Sequence, residues 1–112
     1  MGRLGCGVGM KPKILKLARD DLKEIRDRLL EFGNKPPKKF RESFEKFCVN
    51  ITKMPYMYPQ YDLLPNYRRA VIEYDYLVFY QVEEWNSTTQ AIVFRVLHGK
   101  RDILSFLESV DE

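Results

Sequence analysis

Apolar residues in the first half of the chain follow a helical rhythm. Ala18, Leu22, Ile25, Leu29 and Phe32 recur at spacings of four, three, four and three, which stacks them on one face of a helix. The pattern predicts a helix over residues 19–32. Asp20 and Asp21 suit its positive start, Asp21 and Glu24 are spaced as a capping box, and Gly33-Asn34 supplies a left-handed stop. Pro36 and Pro37 then open a second helix, in whose first turn a missing N–H is harmless. Phe40, Phe44, Phe47 and Ile51 give it one apolar face, while Lys38, Lys39, Arg41, Glu42, Glu45 and Lys46 form a solvated one. Two amphipathic helices joined by so short a link make an antiparallel hairpin. Neither can bury its stripe alone, so both need a third surface.

That surface is predicted from the other hydrophobic period, two. Residues 13–17, with Ile14, Leu15 and Leu17, read as a short strand before the helices. Residues 54–65 carry three prolines and three tyrosines and read as an irregular crossing. Residues 67–73, 76–82 and 90–97 are β-branched and aromatic runs, hence strands, with a polar hairpin loop over residues 83–89. Tyr76, Val78, Tyr80 and Val82 share one face and Leu77 and Phe79 the other, so this strand is expected at the centre, covered on both sides. In the last strand Arg95 and Leu97 are expected to face one way, and Phe94, Val96 and His98 the other. Residues 102–108 suit a short helix packed by Ile103, Leu104, Phe106 and Leu107, with Asp102 placed to cap it or to pair with a neighbouring arginine. The expected class is α+β: an N-terminal strand, a two-helix hairpin, a three-stranded antiparallel meander and a short C-terminal helix.

Composition sharpens this picture in a few places. A chain of 112 residues fits one domain, expected over residues 11–112. Residues 1–10 read as a flexible leader, or as an over-long start with Met10 as the true initiator, since the first nine hold four glycines and no periodicity. The run Gly5-Cys6-Gly7-Val8-Gly9 follows no strand and opens no helix, so it is not a phosphate loop. Cys6 and Cys48 have neither the number nor the spacing of a disulfide framework or metal site, which points to a reducing cytoplasm. No apolar run approaches the roughly 18–20 residues of a membrane helix. Asn86-Ser87-Thr88 matches a glycosylation triplet but reads here as a hairpin turn. Lys and Arg outnumber Asp and Glu, 19 to 16, a margin that permits an anionic partner without requiring one.

No catalytic constellation stands out. There is a single His, no nucleophile motif surrounds the serines, and no cofactor or metal is expected. The informative cluster is cationic: Arg68 and Arg69 on one strand, Arg95 on the last, then His98, Lys100 and Arg101, with Gly99 allowing a sharp turn. Together they are either an anion-binding surface at one end of the sheet, suited to phosphate or acidic side chains, or ordinary exposed arginines with a structural His. His98 has the chemistry of an acid or base near neutral pH.

Several stretches together resemble one family. Tyr67-Arg68-Arg69-Ala70-Val71-Ile72-Glu73-Tyr74-Asp75-Tyr76-Leu77-Val78-Phe79-Tyr80-Gln81-Val82 resembles the paired central strands of RelE/ParE toxins. Arg95-Val96-Leu97-His98-Gly99-Lys100-Arg101-Asp102 resembles their closing strand and turn. Ala18 to Ile25 resembles their first helix, in an Ala-x-x-Asp-Leu-x-x-Ile pattern, and Met54-Pro55 the corner after the second. The resemblance implies a bacterial toxin of a type II toxin–antitoxin pair, used in plasmid stabilisation and growth inhibition and silenced by a cognate antitoxin. RelE-like members cut mRNA on the ribosome without metal; ParE-like members poison DNA gyrase and need no active site. For a nuclease, Arg95, His98 and Arg101 are the implied catalytic set. Two departures weigh against that branch. Leu77 stands where such nucleases often carry Arg, and the segment after Asp102 offers Phe106 but no Tyr. The ending is closer to the ParE side. Gyrase inhibition is therefore the expected activity, with ribosome-dependent mRNA cleavage, or a non-toxic relic that only binds a partner, as alternatives.

Overall fold

The computed structural model describes residues 11–100 and 103–108. The leader expected over residues 1–10, and the expected roles of Arg101 and Asp102, lie outside the described residues. A strand β1 (Lys13–Ile14) leads into helices α1 (Lys16–Leu30) and α2 (Lys35–Lys53). Strands β2 (Gln60–Tyr61), β3 (Leu64–Ile72), β4 (Tyr76–Trp85) and β5 (Thr88–His98) follow, then a short helix α3 (Ile103–Glu108). The five strands form one mixed sheet in the order β1-β5-β4-β3-β2, with β1 parallel to β5 and the other pairs antiparallel. This is the expected α+β class with one strand more.

The helical stripes meet the sheet as their periodicity requires. Ala18, Ile25 and Leu29 of α1 and Phe40, Phe44, Phe47 and Ile51 of α2 are buried against Tyr76, Val78 and Tyr80 of β4 and against Ala91, Val93 and Val96 of β5. Burying a side chain the size of Phe47 contributes roughly 1.5–3 kcal/mol. On the opposite face Tyr67, Phe79, Leu97, Ile103 and Leu107 form a second cluster beneath α3. β4 is thus the central strand and is apolar on both faces, as its alternation predicts.

Several local expectations are corrected. The strand before the helices keeps only two residues, because Leu15 already caps α1 and its N–H bonds Val93 O at 3.1 Å. With α1 starting at Lys16, Asp21 sits in its second turn and is buried, so no capping box forms there. α1 stops at Leu30, leaving Phe32 exposed rather than in the core, and Gly33 takes the left-handed stop with φ of 111°. The crossing at residues 54–65 contains β2 and the start of β3, a strand too short to show a period. The loop expected over residues 83–89 shrinks to Asn86-Ser87, whose φ values of 50° and 64° suit a two-residue hairpin turn. A bulge at Phe94 of β5, opposite Phe79 and Tyr80 of β4, lets Phe94 pack in the second cluster beside Leu97, not beside Val96.

Candidate functional site

β1 pairs with β5 only at Ile92 and Val93, so beyond Val93 the backbone of β5 has a free edge. α1 covers that edge with Asp21. The carboxylate accepts the Val96 N–H at 3.0 Å and two bonds from Arg95, from Nε at 2.7 Å and Nη2 at 2.9 Å. Arg95 Nη1 also donates to Phe106 O at 3.4 Å, with the guanidinium over the Phe106 ring. One buried side chain therefore joins α1, β5 and α3. The hydrogen bonds that Arg95 donates to Asp21 raise its pKa, against the opposing effect of burial. Arg95 was expected as an exposed anion-binding cation; the structure places it under the surface, its fork occupied by a carboxylate.

The other expected cations are dispersed. Arg68 and Arg69 lie on β3 opposite Tyr80 and Phe79. Arg68 Nη1 donates to the carbonyls of Tyr58 (2.7 Å) and Tyr56 (3.3 Å) and lies over the Tyr56 ring, so it fastens the segment after α2. The Tyr56 hydroxyl in turn bonds Glu84, which raises its pKa. Arg69 lies over the Tyr61 ring on the other face of the sheet. Tyr80, opposite Arg68, is four residues along β4 from Tyr76, which pairs with His98. Four residues of strand span about 13 Å, so Arg68 and His98 do not share one anion.

His98 and Lys100 do come together, at the end of the sheet. The His98 ring packs edge-on against Tyr76 with centroids 5.1 Å apart, and its Nδ1 accepts the Lys100 backbone N–H at 3.2 Å. In the neutral ring that bond leaves the proton on Nε2. The turn between β3 and β4 is held beside them because Gly99 N–H donates to Asp75 O at 3.1 Å. Tyr74 and Asp75 in this turn have φ of 63° and 62°, an uncommon conformation for residues with a Cβ. Arg28 and Leu29 from α1, Phe32 from the turn after it and Pro36 from α2 complete an open groove of about 660 Å³ with Tyr74, Tyr76, His98 and Lys100. Among the described residues no carboxylate lines it, and neither Arg28 nor the Lys100 ammonium has an ion-pair partner.

A second groove, of about 480 Å³, runs between α1 and α2. Leu22, Leu30, Pro37, Phe40 and Phe44 line it, and Arg19, Lys23, Arg26, Lys38 and Arg41 add basic groups, with no acid among the described residues that line it. From the sequence, Lys38 and Arg41 belong to a solvated face of the second helix, and Leu22, Phe40 and Phe44 to the apolar stripes. A signal was present: cations on both helices flank the apolar stripes, but only the crossing of the two helices brings them to one groove. Asp21 was equally readable, since it stands three residues after Ala18 and four before Ile25, on the buried face. Arg28, Phe32 and Tyr74 had no such signal.

Among the described residues no three His, Cys, Asp or Glu side chains gather to hold a metal, and no helix is long and apolar enough to cross a membrane. Leu77 lies with the second apolar cluster, beside Phe79 and Leu97. A family model described as the ParE toxin of type II toxin-antitoxin system, parDE, matches residues 13–103. No curated protein matches the chain.

Proposed function

The chain belongs to the ParE toxin family of type II toxin–antitoxin systems, and on that premise we propose that it arrests growth by binding DNA gyrase. The observation that carries this reading is the commitment of Arg95. A phosphate-cleaving site needs cations free to meet developing charge, whereas Arg95 spends its fork on Asp21 and its third nitrogen on Phe106 O. Among the described residues no acidic or basic side chain is hydrogen-bonded to His98, whose Nδ1 accepts the Lys100 backbone N–H. Such an arrangement favours inhibition by surface contact over catalysis, in the cytoplasm where gyrase works.

A cognate antitoxin is the second partner of this proposal, and the groove between α1 and α2 fits it. An acidic amphipathic segment that orders on binding would bury apolar side chains on Leu22, Leu30 and Phe40 and set carboxylates against Lys23, Lys38 and Arg41. The purified chain should block supercoiling by gyrase and trap cleaved DNA. Unchanged supercoiling with no trapped cleavage would sink the reading. Ribosome-dependent mRNA cleavage is the second reading, favoured by His98, Lys100 and Arg28 lining one groove. It requires discrete cuts within codons on primer extension, lost in His98→Ala; uniform messages count against it. Growth without arrest after induction would leave a non-toxic partner-binding protein.

A further inference from the structure

The two grooves beside the helical hairpin differ in chemistry. The one between the helices exposes Leu30 while its aromatic rings, Phe40 and Phe44, are buried, and it suits a folded amphipathic segment. The one at the sheet end has aromatic walls: Phe32 is 74% exposed and Tyr74 39% exposed. Around these rings stand Arg28 and Lys100 and the imidazole N–H of His98. Exposed rings with intervening cations form a platform for unstacked bases and their phosphates.

We propose that the groove of Arg28, Phe32, Tyr74, His98 and Lys100 binds single-stranded nucleic acid. Bases stack on Phe32 and Tyr74, while Arg28, Lys100 and His98 Nε2 take successive phosphate oxygens. Three features support this occupant, the first of them over an acidic protein. The exposed apolar surface is aromatic, and every nucleobase offers a π-face to it. Among the described residues no carboxylate lines the groove to repel a phosphate. The turn that carries Tyr74 is fixed to the strand end by the Gly99 to Asp75 hydrogen bond, so ring and cations keep their spacing. The chemistry does not separate DNA from RNA, and it does not depend on gyrase being the target.

The test is anisotropy with the full purified chain and fluorescent oligo-dT and oligo-U of about 10 nucleotides. Saturable binding should weaken with salt, with a log–log slope of about −1.4 for the two cationic phosphate contacts, Arg28 and Lys100. Arg28→Ala and Lys100→Ala should each reduce that slope by about 0.7, and Phe32→Ala should weaken binding roughly tenfold. All three side chains are exposed, so these variants keep the fold, and Lys46→Ala and Lys53→Ala serve as charge controls elsewhere. Equal binding of both oligonucleotides assigns the site to any single strand; preference for one names its source. Absence of saturable binding at low salt overturns the proposal. So does equal weakening by the Lys46 and Lys53 controls, equal affinity for a duplex, or displacement by polyglutamate at matched charge.

Discussion

Asp21 and Arg95 form the interaction on which the described fold depends most locally. A buried ion pair is often no better than a well-packed apolar pair, but leaving one partner alone is costly. Asp21→Ala strands the guanidinium and also frees the Val96 N–H, so it should destabilise the protein by about 3–5 kcal/mol in urea unfolding. Asp21→Leu/Arg95→Met should recover most of that loss. A double variant as unstable as the single one would show that the charges themselves are required. Cys48 makes a second residue-scale prediction. Burial, with Glu45 adding to it, pushes its thiol up to about 11. The unfolded thiol ionises near 8.5, so as pH rises from there toward 11 the unfolded chain loses the proton first. Stability therefore falls across that window, and below it the group contributes no pH dependence. In a Cys6→Ser background, alkylation of native Cys48 near neutral pH should be roughly a hundredfold slower than in urea, following the thiolate fraction. Equal rates would show the thiol to be unshielded.

At the scale of elements, the turn between β3 and β4 couples conformation to binding. Tyr74 holds φ of 63° although a side chain disfavours it, and such positions cost of order 1–3 kcal/mol. Tyr74→Gly should therefore raise the urea midpoint while weakening single-stranded oligonucleotide binding roughly tenfold through the lost ring. A variant that binds as well as the parent would remove Tyr74 from the site. The helices were legible because fifteen and nineteen residues carry several repeats of one period. β2 was not, because two residues in a segment rich in proline and tyrosine contain no period at all. The expected facing of Phe94 failed for a related reason: a bulge shifts the alternation by one residue, and only the partner strand reveals it.

For the whole molecule, the arrangement predicts separable surfaces. Leu30 is half exposed in the groove between the helices and lies outside the aromatic groove. Leu30→Glu should leave the fold and growth arrest intact while abolishing rescue by the co-expressed antitoxin, because a carboxylate enters a groove suited to acidic partners. Rescue unchanged in a growth assay would move the antitoxin to another face. The candidate site was only partly readable. His98 and Lys100 were found because they lie two residues apart in the chain, whereas Arg28, Phe32 and Tyr74 reach the same groove from helix and turn.

Sequence alone determined which residues are apolar on which face, hence the helical hairpin, the central position of β4 and the α+β class. Those properties follow from local period and are the same wherever the element docks. Tertiary structure decided the fate of the charges. Asp21 and Arg95 are 74 residues apart and meet only because α1 crosses the uncovered edge of β5. Charge in a sequence is a property of a residue, but whether it is free to bind a partner depends on the distance and burial of its counter-charge. That dependence turned an expected binding arginine into a buried clamp, and left Arg28 and Lys100, among the described residues, as the cations of the sheet-end groove.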